Sequence, residues 1–204
     1  GDGKAVLGPI LREYLISHAM KSLGVPTTLA LTIAKTGEIV RREKNLQGAI
    51  LTRVAKSHIR VGTFQYFASQ GKYELLKDLS DYIINRHFPE INGNKNKYFD
   101  LFKCILRKQA KLISKWMSIG FIHGVMNTDN CSIIGDTIDY GPCAFMDNYK
   151  KDTVFSSIDT FGRYAFKNQP IICQWNLVQL ANCLLPLFSN NKEKNIQMAQ
   201  NEID

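Results

Sequence analysis

The sequence predicts an α+β chain in which a smaller, strand-rich part precedes a larger, mainly helical one. Three observations carry that expectation. Residues 27–54 alternate apolar and polar side chains in short runs, as half-buried strands do. Residues 73–87 and 98–117 repeat apolar side chains at helical spacing, and residues 175–185 form a strongly apolar run of helical length. The 204 residues suffice for one large domain or two lobes. The division is placed at residue 55: residues 1–55 as a partial small lobe of one helix plus antiparallel strands, residues 56–204 as the larger lobe.

In chain order, Gly1-Asp2-Gly3-Lys4 looks like the tail of a glycine-containing loop, whose glycines would let backbone approach a ligand or simply make a surface turn. A helix is expected from Ile10 to Leu23, with Leu11, Leu15 and Ala19 on its apolar face beside Ile10 and Tyr14. Pro9 suits its first turn, and Gly24 and Pro26 end it. Glu13 lies on this helix, where a lone glutamate is ordinarily solvated. Thr27–Lys35 reads as a strand, Thr36-Gly37-Glu38 as a turn, and Ile39–Arg42 and Ala49–Val54 as further strands. Arg53 and Arg60 then bracket a short run, placed either to fork onto phosphate oxygens or to make surface ion pairs.

Helical patterns dominate afterwards. One is expected over Tyr73–His87, with Leu75, Leu76, Leu79, Tyr82 and Ile83 inward, and is stopped by Phe88-Pro89. After a polar loop at 92–96, Tyr98–Met117 reads as a helix of about 30 Å with Leu101, Ile105, Leu112 and Trp116 periodic. Arg107, Lys108 and Lys111 fall on its solvated face. Residues 148–160 read as irregular. Trp175–Leu185 reads as a core helix that Pro186 kinks or ends, and residues 189–204 as the start of another helix.

Composition narrows the function classes. The formal charge is +8, but the basic residues are dispersed, with no stripe of interleaved aromatics, which argues against nucleic acid as a partner. No apolar run is read as approaching the ~20 residues that span a bilayer, and no secretory leader is visible, so no membrane partner is expected. The five cysteines lack metal spacing and read as buried reduced thiols. A bacterial cytoplasm is the expected location, with a mitochondrial matrix as the alternative. The chain starts without Met and ends in a polar tail, and is read as a fragment.

The chemistry concentrates in Phe121–Asp147, FIHGVMNTDNCSIIGDTIDYGPCAFMD. Cys131–Ile134 is expected to form a strand, Gly135-Asp136 a tight turn, and Thr137–Asp139 the returning strand. Such a hairpin would bring Asn130 and Asp139 to one end, with Asp129 adjacent. An amide oxygen and a carboxylate oxygen side by side suit a hard cation, Mg²⁺ or Mn²⁺. His123 reads as a structural hydrogen-bonder and Asp136 as a turn residue.

A long helix, His-Gly, Asp-Asn and then Asp-Tyr-Gly resembles a protein-kinase catalytic loop followed by its metal-binding Asp-Phe-Gly. One departure is specific: the early catalytic Asp of an ordinary kinase is Val125 here, and Asp129 abuts Asn130. HGVMNTDN followed by TIDYGPCAFMD resembles the selenoprotein O family, and the likeness extends through GDGKAVL, VPTTLAL, TRVAKSHIRVGTF, GRYAF-x-x-QP and WNLVQLA. The resemblance implies a kinase-like two-lobed fold, incomplete at both ends. It also implies a protein adenylyltransferase that binds ATP flipped, moves AMP to Ser, Thr or Tyr hydroxyls of proteins, and releases pyrophosphate.

By that resemblance Asp129 accepts the hydroxyl proton, Asn130 and Asp139 bind Mg²⁺, and Asp139 also approaches ATP. Asp2, Gly3, Arg53 and Arg60 match nucleotide contacts. Glu13 matches the small-lobe glutamate that pairs with an ATP-binding lysine lying upstream of this chain. Ordinary phosphoryl transfer and a non-catalytic nucleotide-binding module are the alternatives.

Overall fold

The structure is a computed structural model that describes residues 2–203. Its elements are mixed α and β. Strand β1 (Ala5–Val6) leads directly into helix α1 (Leu7–Ser22). Past the last turn of α1, Gly24 adopts φ +70°. Its N–H donates to Lys21 O and the Val25 N–H to Met20 O, a Schellman closure.

The buried face of α1 is not the one its leucines mark. Ile10, Glu13, Ser17 and Met20 point inward, whereas Leu11 and Leu15 are 46% and 67% exposed. The inward polar groups are satisfied where they land. Ser17 Oγ accepts from Ala30 N, and Glu13 Oε2 accepts from Arg53 Nη2. Satisfied polar groups can be buried at little cost, so hydrophobicity alone picks the wrong face here.

β2 (Leu29–Arg41) and β3 (Asn45–Val54) form a long antiparallel pair, with β1 on the far side of β3. Thr36-Gly37-Glu38 is not the turn. Lys35 pairs with Ala49 and Ile39 with Gln47, so the three residues bulge opposite Gly48, and the chain reverses at residues 42–44. Gly48 is required there, because a Cβ would lie 2.6 Å from Thr36 Oγ1.

α2 (Val61–Ser69) has no counterpart among the expected elements. α3 (Tyr73–His87) and α4 (Lys97–Ser118) lie where periodicity puts them. On α3, however, Leu76, Ser80, Ile83 and Ile84 are the buried residues, and Leu75 and Tyr82 face out. α5 (Gln169–Phe188) starts six residues before the expected helix, with Pro170 in its first turn, and α6 (Lys192–Ile203) follows. The core joins Phe102, Ile105, Leu112 and Trp116 of α4 to Leu177, Leu180 and Leu184 of α5.

Phe166–Phe188 has a mean hydropathy of 1.4 over its best window, long and apolar enough to cross a membrane by composition. The sequence reading had no run of that length, because Gln169, Gln174, Asn176, Gln179 and Asn182 interrupt it. Half of that window is buried inside this fold.

The expected hairpin at 131–139 does not form. Ser132 bridges antiparallel to Arg60, and Thr137 bridges parallel to Thr27. The turn between them closes by Gly135 N donating to Ser132 O, with Gly135 at φ +73°. Among the described residues, the one strand pair made by the central stretch joins its ends, β4 (Phe121–Ile122) to β5 (Ala144–Phe145). The reason is competition: segments 59–61 and 26–28 offer each arm a closer partner than the other arm does.

Candidate active site

Closing β4 on β5 ties off residues 123–143 as one loop, and two side chains of α5 hold it from beneath. Gln169, fully buried, accepts from His123 N and donates to Phe121 O. Asn176 Nδ2 donates to Met126 O at 3.0 Å. Neither residue is among the candidates that the sequence motifs mark. The signal existed: they are polar, seven residues apart, and so share one face of an apolar helix.

His123 is structural, as expected. It is fully buried and stacks on Trp116; its Nε2 meets Ile138 O at 2.9 Å while Nδ1 accepts from Val125 N. These partners put the proton on Nε2, and burial holds the imidazole below its ordinary pKa.

Without a hairpin, Asn130 and Asp139 still meet. Asn130 Nδ2 donates to Asp139 Oδ2 at 3.0 Å and to Val125 O at 2.9 Å. Asp139 is the one non-glycine with positive φ, +70°, among the described residues. That conformation costs about 1 kcal/mol, modest for an aspartate, and its Oδ1 accepts from Gly141 N. With both amide hydrogens of Asn130 engaged, its Oδ1 is left as an acceptor.

One amide oxygen and one carboxylate make a lean set. Among the described residues no group of three or more His, Cys, Asp or Glu forms a metal cage. Mg²⁺ commonly takes one or two protein oxygens and fills its shell with water and phosphate, so this donor set fits a cation that arrives with a nucleotide.

Asp129 sits on the 3₁₀ turn Thr128–Asn130, which Asn127 caps by accepting from Asn130 N. Its carboxylate is exposed and lies against Gly62, in the first turn of α2. A Cβ on Gly62 would collide with Asp129 Oδ1. Gly62, like Gln169 and Asn176, carries no functional mark in the sequence; its smallness is visible there, its neighbour is not.

Arg60 precedes α2. Its neighbours Ile59 and Val61 pair with Ile133 and Cys131, so the side chain starts beside the loop that carries Asp129 and Asn130. Its Nε is buried with no partner among the described residues, an orphan suited to an anion.

Glu13 is buried rather than solvated. Oε2 accepts from Arg53 Nη2 at 2.9 Å, and Oε1 accepts from the Tyr140 N–H at 2.8 Å. One connected path therefore runs from the sheet, Arg53, through Glu13 to the peptide beside Asp139, and on to Asn130. Gly3, Glu13 and Arg53 line one concavity of about 340 Å³ between α1 and β3. Asp2 does not line it. It takes a two-pronged contact from Arg42 at 2.8 and 3.0 Å, which holds its carboxyl well below the usual range.

Set against known proteins, residues 1–202 match the family model described as Protein adenylyltransferase SelO. The chain belongs to the SelO family. It is 59% identical over 203 residues to relatives named Protein nucleotidyltransferase YdiU from Bacillus cereus (strain G9842) and Bacillus thuringiensis (strain Al Hakam). The same identity holds to the relative of that name from Bacillus anthracis (strain CDC 684 / NRRL 3495). Each match takes in 100% of this chain but 42% of the relative, so the chain spans about two-fifths of the relatives' length. In this SelO-family chain the Asn130–Asp139 contact and the Glu13–Arg53 pair are joined through the Tyr140 N–H.

Proposed function

We propose that the chain forms the metal- and nucleotide-holding part of a protein adenylyltransferase with a kinase-like two-lobed fold. AMP passes from ATP to a Ser, Thr or Tyr hydroxyl of a protein. The observation that carries the reading is the Asn130–Asp139 contact, tied through Tyr140 N to the buried Glu13–Arg53 pair.

Asn130 Oδ1 and Asp139 would hold the cation, which when bound neutralises phosphate charge as pyrophosphate leaves. Asp129, exposed beside them, accepts the proton of the attacking hydroxyl, a contribution of roughly 10²–10⁴-fold. The hydroxyl oxygen bonds to the α-phosphorus, the bond from that phosphorus to the β-bridging oxygen breaks, and pyrophosphate carries away the electron pair. Arg60, with its orphaned Nε, draws the outer phosphates. Arg53 contributes by fixing Glu13, and Gly3 lets backbone approach the ligand.

Val125 occupies the place of an ordinary kinase base, and its carbonyl is spent on Asn130. That disfavours γ-phosphoryl transfer. The test is incubation of the full chain with Mg²⁺ and ATP labelled at either the α- or the γ-phosphate. Protein-bound α-label without γ-label supports the reading. Bound γ-label indicates a kinase, and no protein-bound label indicates a non-catalytic module.

A further inference from the structure

A second concavity, of about 470 Å³, lies where the C-terminus of α3, the middle of α4 and the Ser132–Asp136 turn converge. Lys56, Arg86, Lys108 and Lys111 line it, opposed by one carboxylate, Asp136. None of the four cations makes an ion pair or side-chain hydrogen bond among the described residues; Lys108 only overlies the Phe88 ring. Solvated lysines are common on helices, and Lys108 and Lys111 read as such from sequence. Two further facts set this place apart.

His87 lines the same concavity, and its Nε2 is buried with no hydrogen-bond partner among the described residues. The opposite wall is also rigidly built. Gly135 sits on the α4 backbone so closely that a Cβ would be 2.9 Å from Lys108 O, which holds the Asp136 turn against α4 at Lys108. Arg86 and His87 partly complement the negative end of α3, but Lys56, Lys108 and Lys111 have no such role. Four positive charges facing one negative charge across a compact volume suit a small polyanion better than an extended chain, which would need an open groove.

We propose that this basic pocket is a binding site for an oligophosphate group, separate from the Asn130–Asp139 site. Neither Asp129, Asn130, Asp139, Glu13 nor Arg53 lines it. No metal is needed, because the protein supplies the countercharge.

Calorimetric titration of the full chain with inorganic tripolyphosphate, in EDTA and near-physiological salt, tests this. The expected result is one saturable site that Asp139→Ala leaves unchanged. Lys56→Gln and Lys111→Gln each weaken binding by about tenfold, and Lys111→Arg restores it. Asp136→Asn tightens it severalfold by removing the opposing charge. Arg107→Gln, on the same helix but outside the pocket, changes nothing. The three basic side chains substituted, Lys56, Arg107 and Lys111, are exposed, and circular dichroism checks that each variant is folded.

ATP in EDTA distinguishes sources: competition with tripolyphosphate on Asp139→Ala means nucleotide tails enter, and its failure means free oligophosphate alone. The proposal is overturned by no binding at millimolar tripolyphosphate, by loss of binding in Asp139→Ala, or by Arg107→Gln costing as much as Lys111→Gln. The result is independent of whether AMP transfer is observed.

Discussion

Gly62 and Asp136 make the account testable one side chain at a time. Gly62→Ala places a methyl group on the Asp129 carboxylate. A displacement of that size near the reacting atoms costs on the order of 10²-fold in rate. α-Label transfer should fall accordingly while helix content is unchanged; a fully active Gly62→Ala would mean that Asp129 does not act from this position. Burial raises the Asp136 pKa above 3.8, so the native state holds that proton more tightly than the unfolded chain. Its contribution to stability is complete below the unfolded value and is lost as pH rises through the folded one. Asp136→Asn should therefore raise Tm at about pH 7, by an amount that shrinks as pH falls toward about 4. An unchanged Tm near neutrality contradicts it. The residue types of Asp129, Asn130 and Asp139 could be read from the sequence because each is chemically distinctive. Glu13 as a buried link could not, since nothing local says what lies above a helix.

Elements with long periodic patterns were legible and short paired ones were not. α3 and α4 fall within a residue of their sequence bounds because fifteen to twenty-two residues average out single exceptions. The hairpin over 131–139 does not form because a four-residue run, three of it apolar, says strand but not with whom it pairs. Arg60 and Thr27, far away in sequence, supplied the partners. α2 leaves little periodic trace because it is nine residues long, with Gly62 in its first turn. The polar face of α5 carries a prediction at this scale. Gln169→Met removes the partner of two buried backbone groups, His123 N and Phe121 O. Each unsatisfied group costs about 1–3 kcal/mol, so denaturant unfolding should show a loss of about 2–4 kcal/mol. Hydrogen exchange at the His123 amide should also quicken. A loss under about 0.5 kcal/mol would mean that α5 does not hold the loop.

Across the whole molecule, the α+β class and the buried thiols were readable from composition and pattern, whereas the orientation of α1 was not. Leu11 and Leu15 face outward because the sheet accepts Glu13 and Ser17 instead, a three-dimensional fact with no periodic trace. All five cysteines are free, four of them buried, and burial pushes Cys143 and Cys173 up to about 12. A thiol reagent at mildly alkaline pH should label at most Cys104 quickly in the native protein and all five thiols after denaturation. Rapid native labelling of several would show that the α4–α5 core is not packed as described.

The proposed role of Asn130 and Asp139 is to clasp a cation on bound nucleotide. ATP affinity of the full chain, measured with and without Mg²⁺ for the parent and for Asp139→Ala, tests it most directly. Mg²⁺ should tighten ATP binding to the parent by about tenfold or more and do little for the variant. Equal Mg²⁺ dependence in the two proteins would contradict it.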